Sequence, residues 1–499
     1  MTSFPLATYD TLFMYWPRNN FSENYVFLLG KNTKQGSDKS TSTVFVSSNY
    51  GKNFTKLNLT STNTPSALID QIYSGKVNPK LCILADKVNK VLYRTEDLVT
   101  FAPIKVTWVP SYITFHPWDE RFVMGYDSQA EKLYLSKDKG QTFAQIPAGL
   151  EVKSFNWAVK GYDSPDVIFV ERFQNTLQVR RKTGDNRTTV YQLGDKGSQI
   201  TLVTNVDEFE MMGKYMFITT KKDPKDKLAI LKVSKKRKPF QEAKFPSNEE
   251  SRDFFVFDVV EDHVFVVINH LRNLSNMYLS DPTGIKYQLS LPRVLYHNPF
   301  TNVSSPWLRT VIPYAFVDVD RIKSIRGIYI ATQLTPGPVG KRHLLSLITY
   351  NRGGKWQRIR SPTVDNRGVR INCYLPSCSI HLNLLYGAVY RVSPSERLLS
   401  SESAPGLVIG LGVASTNLKI YPDLFVSLDG GQGWSRVRHQ YLNVVLANTS
   451  FLIDKHWYIP TAMFFTDLTL AINQPSSSEY DDTMQFVFYC FLDAGQLAV

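Results

Sequence analysis

Short apolar runs recur along the chain, and each is closed by a polar turn. The runs TVFV, KVLYR, KLYL, LAILKV, NMYL, LLSLI and DLFV have the length and the β-branched or aromatic content of strands. Four of them lead into one pattern, S/T-x-D/N-x-G-x-x-W/F, read as SSNYGKNF (47–54), SKDKGQTF (136–143), TYNRGGKW (349–356) and SLDGGQGW (427–434). Weaker copies begin at Thr95, Ser234 and Ser280. Short alternating segments such as TKLNL, AQIPA, QRIRS and SRVRH follow the turns. Strand, tight turn and strand make a β-hairpin.

The residue types in the pattern suit a turn. Asn49, Asp138, Asn351 and Asp429 can accept backbone N–H bonds, and the hydroxyls of Ser47, Ser136, Thr349 and Ser427 can bond the main chain. Gly51, Gly140, Gly353 and Gly431 supply a backbone shape that a Cβ opposes. Phe54, Phe143, Trp356 and Trp434 leave the turn to pack between sheets. This is a structural device and not an active site. The motif positions 47, 95, 136, 234, 280, 349 and 427 imply a period of roughly 40–50 residues, the mark of propeller blades. The long gap from 136 to 234 accommodates two units, with 176–190 read as an eroded hairpin between them. The expectation is an all-β fold, a β-propeller with Asp-box (BNR) hairpins and about eight blades.

Composition narrows this reading. The chain has 499 residues, 43% hydrophobic and 13% aromatic, enough apolar material for a large core. The longest apolar stretches, FFVFDVV and MQFVFYCFL, are strand-sized and too short for a spanning helix. The opening residues lack a basic region and a continuous apolar core, so they do not match the usual signal-peptide pattern. Asn20, Asn53, Asn58, Asn186, Asn273, Asn302 and Asn448 each head a glycosylation sequon. Cys373 and Cys378 are spaced for a small disulfide loop in an oxidising compartment. Cys82 and Cys490 do not complete a zinc arrangement with them. The net charge of +13 is concentrated: 221–238 holds nine basic and two acidic residues. The KKRK run at 235–238 suits a nuclear-localisation patch or a solvated hairpin loop, and the loop is preferred. No aromatic residue is interleaved to stack bases, so nucleic acid is not an expected partner.

Enzyme chemistry finds little support. A glycosidase needs paired carboxylates, and a sialidase needs a tyrosine nucleophile with clustered arginines; the Arg-Ile-Pro signature of sialidases is absent. Asp119, Glu120, Asp318 and Asp320 read as strand-edge or loop residues. The eight histidines form no metal-binding pair. No metal, cofactor or catalytic residue is expected, and GLVIGLG from Gly406 reads as a strand because no helix follows it.

The segment INCYLPSCSIHLNL (371–384), following ITYNRGGKWQRIRSP, resembles the SorCS branch of the sortilin family of sorting receptors, which carry a Vps-ten domain. KSIRGIYIATQL, SESAPGLVIGLG, FHPWDERFVMGYD and VSKKRKPFQEAKFP also resemble that family, in family order. The resemblance implies a lumenal ten-bladed propeller on a type I membrane receptor moving between Golgi, endosome and cell surface, with no catalysis. Its implied partners are peptide or protein cargo, among them neuropeptides, pro-neurotrophins and growth factors, and receptor dimers occur. By the same resemblance, Thr219 stands roughly where a ligand-contacting serine would, Lys227 lies near the carboxylate clamp, and Ala229 replaces its arginine. The expected organisation is a lead-in at 1–23, a partial propeller at 24–450 and a divergent tail at 451–499. Membrane attachment would come through a C-terminal span outside this sequence. The other readings are an Asp-box glycoside hydrolase or sialidase and a truncated, non-functional or decoy fragment.

Overall fold

The computed structural model describes residues 9, 11–17, 24–32, 41–59, 66–146, 151–194, 198–221, 228–246, 251–270, 274–297, 316–335, 344–382, 398–402, 404–416 and 423–437. The described chain is nearly all β. It forms seven four-stranded antiparallel sheets, one five-stranded sheet and a two-stranded pair, Tyr296–His297 with Phe316–Val317. In chain order the larger sheets begin with the strands Thr11–Tyr15, Gln71–Ser74, Tyr112–Phe115, Val152–Trp157, Glu208–Met212, Ser251–Val260, Val319–Arg321 and Ser379–Leu382. The four-stranded sheets are simple meanders, each strand pairing with the next in sequence. The arrangement is consistent with a β-propeller.

Seven apolar seams join each sheet to its successor. The second strand of the second sheet, Cys82–Asp86, shows how the sequence produces this. Cys82 and Leu84 pack toward the first sheet, while Ile83 and Ala85 pack toward the third. Successive side chains on a strand point to opposite faces, so a strand buried on both sides reads as a continuous apolar run. The fifth sheet repeats this: Met216 and Ile218 face the fourth sheet, and Tyr215 and Phe217 face the sixth.

The turns between third and fourth strands lock these seams. At 136–143, the Ser136 hydroxyl donates to Asp138 Oδ1 at 2.7 Å and accepts the Gly140 N–H at 2.7 Å. Asp138 Oδ1 in turn accepts the Thr142 N–H at 2.9 Å. Matching bonds join Ser47, Asn49 and Gly51, then Thr349, Asn351 and Gly353, then Ser427, Asp429 and Gly431. Gly140 has a φ of 84°, and a Cβ there would lie 3.0 Å from Ile83 Cδ1 of the preceding sheet. Glycine is therefore needed for the backbone shape and for the approach to the neighbouring sheet. Phe143, Trp356 and Trp434 pack in the seam with the preceding sheet.

Changing Ser136 to alanine removes one donor and leaves the buried Gly140 N–H without its acceptor. The expected loss is about 2 kcal/mol, with threonine retaining most of the stability. Urea unfolding of the two variants measures it, and equal midpoints for wild type and alanine would contradict this account of the turn.

Three expectations need correction. Thr11–Tyr15, placed in a lead-in, is the first strand of the first sheet and pairs with Val26–Asn32; it carries no motif, which is why the pattern passes over it. The stretch read as an eroded hairpin begins instead with a helix, Leu177–Thr183, ended by Gly184 at a φ of 71°. That helix is inserted between the second and third strands of the fourth sheet, and Arg180 ties it to Glu131 and Glu151 at 2.6 Å each. Within the KKRK run, Arg237 is not a solvated loop residue: its guanidinium donates to Asp163 at 2.9 Å and lies over Phe169. In the gap from 136 to 234, four-stranded sheets start at Val152 and at Glu208. GLVIGLG runs into the strand Val408–Ser415.

Candidate functional site

First strands of neighbouring sheets touch at several places. The Tyr15 hydroxyl bonds Ser74. The Tyr73 and Tyr112 rings lie 6.0 Å apart, and Tyr112 and Phe155 lie 6.4 Å apart. Trp157 Nε1 donates to Thr114 Oγ1 at 3.4 Å, and Lys153 Nζ donates to the Asp207 carbonyl at 2.5 Å. Further on, Arg321 approaches Asp258 at 3.7 Å. Strands of separate sheets that meet this way form a shared wall.

The middle of the wall is rich in charge. Glu171 is buried, and Lys153 at 3.1 Å, Ser154 at 2.7 Å and Thr188 at 2.7 Å occupy its carboxylate. Glu208 is exposed. Desolvation raises its pKa; Asp253, Glu171 and Asp207 add to the rise, and Lys153 opposes it. The Tyr296 hydroxyl bonds Asp253, and the Tyr329 hydroxyl donates to Asp258 at 2.8 Å. Glu208 is thus the exposed carboxylate of this group, while Lys153, Glu171 and Tyr329 are engaged with neighbouring groups inside the protein.

Thr219 pairs in register with Glu208, and its carbonyl accepts the Asp207 N–H at 2.9 Å. The Thr219 side chain is buried, so it supports the wall from behind. Ala229 is buried in the seam between the fifth and sixth sheets. Lys227 lies outside the described residues, as do Asn20, Asn273, Asn302, Asn448 and the whole of 451–499. Asn53, Asn58 and Asn186 are exposed. The sulfurs of Cys373 and Cys378 are 1.96 Å apart. Asp119 is held by Arg121 at 2.7 Å and Glu120 by Lys139 at 2.5 Å. Among the described residues, no group of three or more His, Cys, Asp or Glu side chains is placed to hold a metal, and no helix is long and apolar enough to cross a membrane.

His116, just beyond the first strand of the third sheet, is buried between Trp118 and Trp157. Its Nδ1 accepts the Asp119 N–H at 3.1 Å. Burial pushes the imidazole down to about 4, against the pull of Asp119. A folded value below the unfolded value of about 6.5 means that its contribution is complete above pH ~6.5 and is lost as pH falls toward 4. Thermal melting is therefore expected to weaken across that window, and His116→Asn, which keeps an acceptor for the N–H, should flatten the decline. Glu208, whose pKa is raised, works in the opposite direction. An unchanged slope in the variant would contradict the assignment to His116.

The family described as Sortilin-Vps10 (Sortilin, neurotensin receptor 3) matches residues 42–448. The chain belongs to the sortilin family. The sortilin-related receptor of Oryctolagus cuniculus is 31% identical over 431 residues, covering 82% of this chain and 19% of that protein. The VPS10 domain-containing receptor SorCS2 of Homo sapiens is 26% identical over 448 residues, covering 87% of this chain and 36% of that receptor. Identity is thus higher to the sortilin-related receptor than to SorCS2, and this chain spans well under two thirds of either. Among solved structures, the GH74 xyloglucanase from Xanthomonas campestris has a TM-score of 0.31 and 10% identity, covering 87% of this chain and 86% of that one. That fit is too loose to bear on function. The family match covers 42–448, most of the described residues.

Proposed function

We propose that the chain is the cargo-binding propeller of a sortilin-like sorting receptor, taking peptide or protein ligands on its wall of first strands. The observation that carries this reading is the sortilin-family match over 42–448, supported by the charged groups Lys153, Glu208 and Asp253 on neighbouring first strands. On this reading the sheets are blades of an Asp-box propeller, about eight in number. The work of the domain is capture and transport, not catalysis. Its compartment is the lumen of the secretory pathway, with Asn53, Asn58 and Asn186 as accessible glycosylation sites and Cys373–Cys378 as a closed disulfide. Neuropeptides, pro-neurotrophins and growth factors are the cargo classes that the family resemblance suggests, and receptor dimerisation goes with the same reading.

The test is to secrete the chain behind an added signal sequence and present it with a displayed peptide library. Saturable binding that Lys153→Glu or Glu208→Arg weakens about tenfold would support the proposal. A well-folded, secreted protein that enriches no peptide, or whose ligands ignore both substitutions, would count against it.

A further inference from the structure

Between the seventh and eighth sheets the chain makes an excursion that neither sheet requires. An antiparallel bridge between Ile359 and Ile380 closes its base. Within it, 363–371 folds back as a small hairpin: Val364 bridges Arg370, and the Ile371 N–H donates to the Thr363 carbonyl at 2.8 Å. The tip is fastened to the outer strand of the eighth sheet, because the Asn366 N–H donates to the Arg436 carbonyl at 3.2 Å. The Cys373–Cys378 ring follows, packed on Ile371 and Ala414. Arg358, in the last strand of the seventh sheet, bonds the Pro376 carbonyl of that ring. The excursion is therefore held at several points and presents a preformed surface.

The segment itself exposes charge of one sign. Residues 355–377 contain five basic side chains and one acidic side chain, Asp365. Asp365 is buried, and its carboxylate accepts the N–H groups of Arg367 and Val369 at 2.9 Å each. Lys355, Arg360 and Arg370 are exposed, and Arg360 and Arg370 have no ion-pair partner among the described residues. Interleaved with them stand large apolar groups open to water: Tyr374 at 50%, Val369 at 45% and Leu375 at 40%. Tyr374 and Leu375 are neighbours in the chain and exposed together, and tyrosine and arginine are enriched among residues that carry binding energy at interfaces.

We propose that this hairpin and disulfide ring form a second docking surface, separate from the wall of first strands, for an acidic peptide segment with interspersed apolar residues. Arginine forks pair with carboxylates in two parallel hydrogen bonds, and the apolar side chains between them accept the partner's apolar residues. A sulfated glycan would engage the charge and leave Tyr374 and Leu375 unused. A stiff, pre-ordered surface lowers the ordering cost of binding, which accounts for the disulfide in so short a loop. The inference rests on the cargo-binding reading and adds the chemistry of one kind of cargo segment.

The probe is a synthetic peptide alternating glutamate with leucine and phenylalanine, titrated against the secreted, disulfide-closed chain. Binding is expected to weaken with salt and to fall about tenfold or more in Arg360→Glu/Arg370→Glu and in Tyr374→Ser/Leu375→Ser. Lys56→Glu, an exposed change on the first sheet, should leave it unaltered. Arg360→Gln/Arg370→Gln guards against misfolding by charge reversal and should show the same direction of change. Failure of the peptide to bind, or equal binding by all variants, would overturn the proposal. So would heparin or phosphatidylserine vesicles binding through the same residues without competition from the peptide. Library ligands sensitive to Lys153→Glu but indifferent to Arg360 and Arg370 would preserve the cargo-binding reading while removing this one.

Discussion

Truncating Phe265 to alanine is expected to destabilise the protein by about 3–5 kcal/mol. The ring has no exposed area and stands in the strand His263–His270. Its face meets Tyr329 of the next sheet at 4.7 Å and Phe257 of its own sheet at 5.5 Å. Removing it opens a cavity in the seam between the sixth and seventh sheets, where Val267, Met277, Ala331 and Leu347 also pack. Backbone hydrogen bonds hold the strands on both sides, so the seam cannot easily collapse into the space. Phe265→Leu, which fills part of it, should recover more than half of the loss. Denaturant unfolding followed by tryptophan fluorescence measures both variants. A loss below about 1 kcal/mol for alanine would mean that the seam carries little of the stability.

The second large effect is expected at Gly125. It sits in the strand Val123–Asp127, directly opposite Tyr134. A Cβ built there would come within 2.1 Å of the Trp108 ring. Trp108 has no easy retreat, because it is buried, stacked on Tyr134 at 4.6 Å and met edge-on by Phe143 at 5.6 Å. Phe143 is the aromatic residue of the 136–143 turn, so a side chain at 125 disturbs both the seam and the turn that locks it. Gly125→Val is expected to cost about 3 kcal/mol through overpacking. Combining it with Trp108→Leu should cost less than the sum of the two single changes, because the smaller side chain makes room. Strict additivity in this double-mutant cycle would remove the steric explanation.

The sequence made some of this architecture legible and hid the rest for physical reasons. Hydroxyl, carboxyl and glycine recur at fixed offsets because a turn is local, and the bonds of Ser136, Asp138 and Gly140 join residues only two to four positions apart. The doubly buried strands were legible as apolar runs for the same reason. The helix Leu177–Thr183 was not, because what holds it is the pairing of Arg180 with Glu131 and Glu151, residues distant along the chain. Arg237 looked like part of a basic loop because its partners, Asp163 and Phe169, belong to the preceding sheet. The wall of first strands left no mark in the repeat: the motif governs the third and fourth strands, while Lys153, Glu208 and Asp253 stand on first strands outside it. The Cys373–Cys378 spacing pointed to a loop, but the one-signed surface around it emerges only once Asp365 is seen to turn inward.

Hydrogen exchange on the secreted chain, with and without a bound peptide selected from a displayed library, tests the central claim most directly. The account predicts slowed exchange concentrated in Val152–Trp157, Glu208–Met212 and Ser251–Val260, the first strands that form the charged wall. Protection confined to the turns at 47–54 and 136–143, with those strands unchanged, would contradict it.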